Sequence, residues 1–217
     1  MIALLAFLAL TQYEAAIRTL PPGTIGGGCP GIGVPEVWQI EQRDEMQRLY
    51  GWPIITAESV EQIAAFIGDD QAIDFGAGGG YLASLLMERG IDVVAIDDFS
   101  WGAPTWAWHL VIEGDFRDLR GTSDRVLILS WPPRETDMAT RALYKWGGDR
   151  LVYIGEILRG SAEPPFFREL ANNWRLVDTV HIPQWYNRSD AVYLFERGPG
   201  VGWDWMLEHI ERCQESQ

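Results

Sequence analysis

The chain has 217 residues, 47% hydrophobic and 22% charged, an ordinary globular composition with room for one core of useful size. Its 17 basic and 31 acidic residues leave a formal charge of −14, which repels a phosphate backbone, and no run of Lys and Arg offsets it. Cys29 and Cys213 lie far apart without Cys or His neighbours at ligand spacing, so neither a metal site nor a disulfide framework is indicated, and the cytoplasm is the simplest compartment.

The first ten residues, MIALLAFLAL, are too few to span a membrane and lack the basic start and cleavage site of a secretory signal. A helix packed on the domain is expected there. The stretch from Gly23 to Gly33 carries too many glycines and prolines for regular structure and reads as a loop, hinge or lid. Glu36 to Leu49 reads as a helix broken by Tyr50, Gly51, Trp52 and Pro53. Thr56 then caps a second helix whose Val60, Ile63, Ala64 and Ile67 share one face, and Gly68 stops it.

Gln71 to Phe75 is a short, largely apolar strand that runs into Gly76, Gly78, Gly79 and Gly80. A helix follows, with Leu82, Leu85 and Leu86 as its apolar stripe. Val93 to Ile96 make a second strand, and Asp97 and Asp98 stand at its tip. Glycines at such a turn permit positive φ and close backbone approach to a ligand, beside the unpaired N–H groups of a helix start.

Phe99 to His109 is an aromatic-rich connection. His109 to Glu113 is expected as the third strand, followed by Gly114 and Asp115. Arg125 to Leu129 is a fourth strand, ending in Ser130, Trp131, Pro132 and Pro133. Next come a helix around Met138 to Trp146, a strand from Leu151 to Ile154 tipped by Gly155 and Glu156, and a helix around Glu163 to Trp174. Arg175 to Ile182 and Ala191 to Glu196 are two consecutive strands with no helix between them, and a helix around Trp203 to Cys213 closes the chain.

Spacing discriminates between cofactors. The dinucleotide fingerprint G-x-G-x-x-G, started at Gly76, would need glycine where Tyr81 stands. The chain instead has D-x-G-x-G-x-G from Asp74 to Gly80, with Asp97 placed 23 residues after Asp74. This resembles the first two motifs of the class I S-adenosylmethionine (SAM)-dependent methyltransferases. The resemblance implies a Rossmann-like α/β sandwich: a mostly parallel seven-stranded sheet with an antiparallel last strand and helices on both faces. It implies SAM as cofactor, with Gly76, Gly78 and Gly80 under its amino-acid part and Asp97 on the ribose hydroxyls. Asp74, Tyr81, Asp98 and Ser130 flank these positions and join the expected cofactor site. Asp115 is the candidate for the adenine amino group, with a turn aspartate as the alternative. The expected division is an extension and loop over 1–55, a SAM-binding domain over 56–198, and a packed helix over 199–217.

Ser130-Trp131-Pro132-Pro133 is similar to the (D/N/S)-P-P-(Y/F/W) motif of nucleobase amino-methyltransferases, but Trp131 is inserted and Arg134 stands where the aromatic residue would be. Pro-Pro also simply ends a strand. Taken together, Tyr50-Gly51-Trp52, the loop ending at Tyr81, Trp131-Pro132-Pro133 and Tyr153-Ile154-Gly155-Glu156 look like a methyltransferase-like branch carrying similar strings in the same order. Ligands of a parallel sheet gather at strand carboxyl ends. Tyr50, Trp52, Trp131, Pro132, Pro133 and Glu156 are therefore the expected acceptor pocket. Trp131 and Trp52 would offer aromatic faces to a positive centre, and Glu156 is the candidate base, ahead of His109 and His181. A small molecule or a protein is the expected acceptor, and nucleic acid is disfavoured by charge. A nucleobase methyltransferase and a non-catalytic binding or assembly module remain the alternatives.

Overall fold

Alternation along the central strands dictates a sheet covered on both sides. In β1 (Ala72–Phe75), Ile73 and Phe75 belong to one apolar core and Ala72 to the other; in β4 (Val126–Ser130), Leu127 and Leu129 oppose Val126 and Ile128. The same division runs through β5 (Arg150–Gly155), where Leu151 and Tyr153 face away from Val152 and Ile154. A strand buried on both faces needs helices above and below. This computed structural model describes Tyr13, residues 16–20, Ile25, residues 37–104 and residues 106–207. The apolar start, most of the glycine- and proline-rich stretch, Cys29, Cys213 and the end of the last expected helix lie outside the described residues.

The remaining strands are β2 (Val93–Asp97), β3 (Val111–Glu113), β6 (Trp174–His181) and β7 (Ala191–Arg197). They complete one seven-stranded sheet in the order β3-β2-β1-β4-β5-β7-β6. β2, β1, β4 and β5 run parallel, and β7 is antiparallel to both β5 and β6. This is the Rossmann-like methyltransferase arrangement, and it puts the carboxyl ends of β1, β2 and β4 side by side. The third strand is shorter than expected: His109 and Leu110 precede it because they pack along the glycine loop and the surface rather than pairing with β2.

The helices are α1 (Val37–Tyr50), α2 (Ala57–Ile67), α3 (Tyr81–Glu88), α4 (Met138–Trp146) and α5 (Pro164–Asn173). Thr56 caps α2 as expected, its Oγ1 accepting the Ser59 N–H at 3.2 Å while Ser59 Oγ accepts the Thr56 N–H at 2.9 Å. Val60 and Ile63 of α2 pack with Leu82, Leu85 and Leu86 of α3 in one core. Leu143 and Trp146 of α4 pack with Phe166, Phe167 and Leu170 of α5 in the other, and Met206 from the final helical stretch joins them. Each such fully buried large side chain contributes about 1.5–3 kcal/mol. α1 differs, because more than half of its residues are polar or charged and, among the described residues, only Met46 and Tyr50 reach the core. Among the described residues, no helix is long and apolar enough to cross a membrane.

Candidate functional site

The loop after β1 turns through Gly76 at φ 82° and Gly80 at φ 72°, a region that favours residues without Cβ. At Gly80 a Cβ would also stand 3.0 Å from Val111 Cγ2 and 3.2 Å from His109 Cβ. The loop is braced from the second strand. Gly76 and Ala77 N–H groups donate to the Ile96 carbonyl at 2.8 and 3.1 Å. Asp97 Oδ2 accepts the Gly78 N–H at 2.7 Å, and its Oδ1 accepts the Phe99 N–H at 2.7 Å. Each carboxylate oxygen has two lone-pair directions, so both keep capacity for a further donor. The aromatic connection folds back on the loop, with the Trp108 N–H donating to the Gly79 carbonyl at 2.8 Å.

A cleft of about 1080 Å³ opens above this loop. Asp74, the glycines at 76, 78 and 79, and Ser130 line one side, Tyr50, Trp52 and Tyr81 another, and Trp101 to Pro104 a third. The remaining side is α1, which contributes Glu41, Arg43, Asp44, Glu45 and Arg48. Aromatic packing fixes this helix: Tyr50 stacks on Tyr13 at 4.2 Å and on Trp108 at 5.6 Å, and Tyr81 meets all three rings edge-on. The Trp108 indole also donates to the Leu49 carbonyl at 2.5 Å.

Asp74 is the buried charge of the cleft. Its side chain is 1% exposed, and Oδ1 has no hydrogen-bond partner among the described residues. Burial, reinforced by the nearby Asp97 carboxylate, pushes it up to about 7. The other expected cofactor acids sit apart from the cleft lining. Asp98 is exposed and accepts the Ser100 N–H at 2.9 Å. Asp115 forms a turn, accepting the Arg117 N–H at 2.7 Å and pairing with its guanidinium, which lowers the carboxyl below the usual range.

On the β4 side, Trp131 follows Ser130 in the left-handed region at φ 52°, a conformation that costs a non-glycine residue of order 1–3 kcal/mol. Its ring stacks on Trp52 with centroids 5.1 Å apart and planes 21° from parallel. Trp131 Nε1–H donates to Asp190 Oδ2 at 3.2 Å, and the Arg188 guanidinium lies 5.3 Å over the ring. The two prolines are structural: the Pro132 carbonyl accepts the Ala162 N–H at 2.8 Å, and Pro133 bridges Ser161. Arg134 donates to the Arg159 carbonyl.

Glu156 stands behind this wall with none of its surface exposed. Its Oε1 accepts the Ser189 N–H at 2.9 Å and hydroxyl at 3.2 Å, while Oε2 accepts the Gly160 N–H at 2.9 Å with Arg188 at 3.7 Å. Those partners engage both carboxylate oxygens and tie the end of β5 to two loops. His109 packs at Gly80, and His181 is exposed on β6. A Cβ on Gly160 would touch Glu156 Oε2 at 2.1 Å and the Trp131 ring at 3.1 Å, so these two side chains lie together behind Trp52, the one of the three that lines the cleft.

Sequence reasoning missed Asp190 and the charged face of α1. Asp190 is 1% exposed and is pushed up to about 7 by burial first and by Glu156 second. Its one sequence signal is an acid immediately before an apolar strand. Among the described residues, no group of three or more His, Cys, Asp and Glu is placed to hold a metal ion.

The strand order is that of a Rossmann-like methyltransferase sheet. A magnesium protoporphyrin IX methyltransferase from Synechocystis PCC 6803 with bound SAM matches with a TM-score of 0.48 and 15% identity over 76% of this chain and 87% of that one. The mitomycin 7-O-methyltransferase matches with a TM-score of 0.43 and 16% identity over 87% of this chain and 67% of that one. No protein-family model and no curated protein matches the chain.

Proposed function

We propose that the protein is a SAM-dependent methyltransferase acting on a small molecule or a protein side chain. One observation carries the reading: the glycine loop, locked to Asp97 through the Gly78 N–H, borders a cleft that is also lined by Asp74, a buried acid with one carboxylate oxygen unpartnered among the described residues. A buried acceptor without a donor costs free energy unless a donor arrives. The ammonium of the cofactor's amino-acid part is such a donor. The Asp97 oxygens retain capacity for ribose hydroxyls, and the open space around a Cβ at Gly78 leaves the loop approachable. These residues fit the group.

When bound, SAM supplies a methyl carbon already activated on a sulfonium. The protein's part is positioning, which for ideally oriented reactants supplies up to about 7–11 kcal/mol. Asp74 and the glycine loop hold the donor side, and Trp52, backed by Trp131, walls the acceptor side and excludes water. A cleft of about 1080 Å³ is at the upper end of small-molecule sites, ~300–1,000 Å³, with room for cofactor and acceptor together. Calorimetry with S-adenosylhomocysteine (SAH) and a crystal structure of that complex test the reading. Density for SAH along residues 76–80 supports it, and density elsewhere contradicts it.

A further inference from the structure

We infer that the Trp52–Trp131 pair, backed by the Asp190 carboxylate, is an organic-cation site on the acceptor side of the cleft, and that the methyl acceptor is an amine. The inference rests on SAM as methyl donor and names the acceptor class for that site.

Four observations converge. Trp52 is 41% exposed and lines the cleft, so its indole is presented to a ligand while Trp131 supports it from behind. Trp131 gives its N–H to a buried carboxylate, and a negative partner at the ring edge enriches the π face that attracts cations. Arg188 lies 5.3 Å over the Trp131 ring, on which Trp52 also stacks, so the indole face left to a ligand is that of Trp52. Asp190 Oδ1 has no hydrogen-bond partner among the described residues, so the charge behind the wall is incompletely offset.

The rest of the cleft has the same sign. Glu41, Asp44, Glu45 and Asp74 line it against Arg43 and Arg48, and Arg43 is paired with Asp44 at 3.1 Å. A phosphate-bearing acceptor meets repulsion there. A flipped nucleobase would need the ring that Arg134 replaces, and that guanidinium is engaged with the Arg159 carbonyl. An ammonium is attracted by both the acids and the indoles. It loses one proton to solvent before attack; the N–C bond then forms as the C–S bond breaks with its electron pair left on sulfur, and the nitrogen leaves as an ammonium again.

Sinefungin reads this position, because it is the SAH analogue whose sulfur is replaced by a carbon bearing an ammonium. Calorimetry on the full chain at pH 8, where Asp190 is ionised, compares the two ligands. Sinefungin is expected to bind about tenfold tighter than SAH. Asp190→Asn keeps the side-chain shape and an acceptor for the indole N–H but removes the charge; it should shrink the preference to within about threefold while SAH affinity changes less than about twofold. Trp131→Phe, which loses the indole N–H, should do the same and serves if Asp190→Asn does not fold. Parity of the ligands on the wild type, or a preference that survives both variants, overturns the amine assignment alone. No SAH binding overturns the donor reading and the inference with it.

Discussion

Asp97 Oδ2 accepts the Gly78 N–H at 2.7 Å, so the acid after β2 and the middle of the glycine loop form one unit before any ligand arrives. Asp97→Ala therefore removes both a ligand acceptor and the brace of the loop. A charged hydrogen-bond acceptor is worth about 1.5–3 kcal/mol. SAH affinity is expected to fall by roughly 10- to 150-fold; a loss below threefold would show that Asp97 does not meet the cofactor.

Asp74 makes both stability and binding pH-dependent. Its carboxyl is raised from 3.8 to about 7, so between those values the folded protein holds a proton that the unfolded chain releases, and stability falls as pH rises through that window. Asp74→Asn removes this contribution. Its thermal midpoint relative to wild type should climb between pH 4 and pH 8, by about 2–4 °C for each kcal/mol recovered. A cationic cofactor favours the ionised carboxylate, so wild-type SAM affinity should rise from pH 6 to pH 8 with proton release. The slope in Asp74→Asn should be shallower; equal slopes would remove Asp74 from the site.

Glu156 and Gly160 form the joint behind the Trp131 wall. Gly160→Ala would put a methyl 2.1 Å from Glu156 Oε2, and such overpacking costs about 1–3 kcal/mol. Glu156→Gln exchanges one acceptor oxygen for a donor facing N–H and O–H groups, with a cost of similar size. Urea unfolding of both variants should show these losses, and any lost turnover in Glu156→Gln should not recover at high pH. Recovery at high pH would restore Glu156 as a base.

Duplex DNA should not be bound appreciably at physiological salt, given the −14 formal charge and an acid-rich cleft. Fluorescence anisotropy with a labelled duplex checks this, and submicromolar affinity would contradict it.

The sheet was legible because its signals are local and physical. The continuous apolar runs of β4 and β5, the Thr56 cap and the glycine run each specify their own element, and two strands without an intervening helix mark the antiparallel end. Asp97 was legible from its spacing to Asp74. Glu156 follows β5 directly, as its place after the Leu151 to Ile154 run required, but its enclosure was not legible, because Ser189, one of its two loop partners, lies 33 residues on and outside any motif. Asp190 escaped for the same reason. Its partner Trp131 lies 59 residues away, and no periodicity encodes a contact between the loop after β4 and the loop before β7, made across the end of β5.

The central claim is that the glycine loop and Asp97 form a SAM site and not a dinucleotide site. Isothermal titration of the full chain with SAH and, separately, with NAD tests it most directly. The account predicts that SAH binds at least about tenfold tighter, a difference of about 1.4 kcal/mol, because Tyr81 occupies the place of the third dinucleotide glycine. Equal or tighter binding of NAD would contradict it.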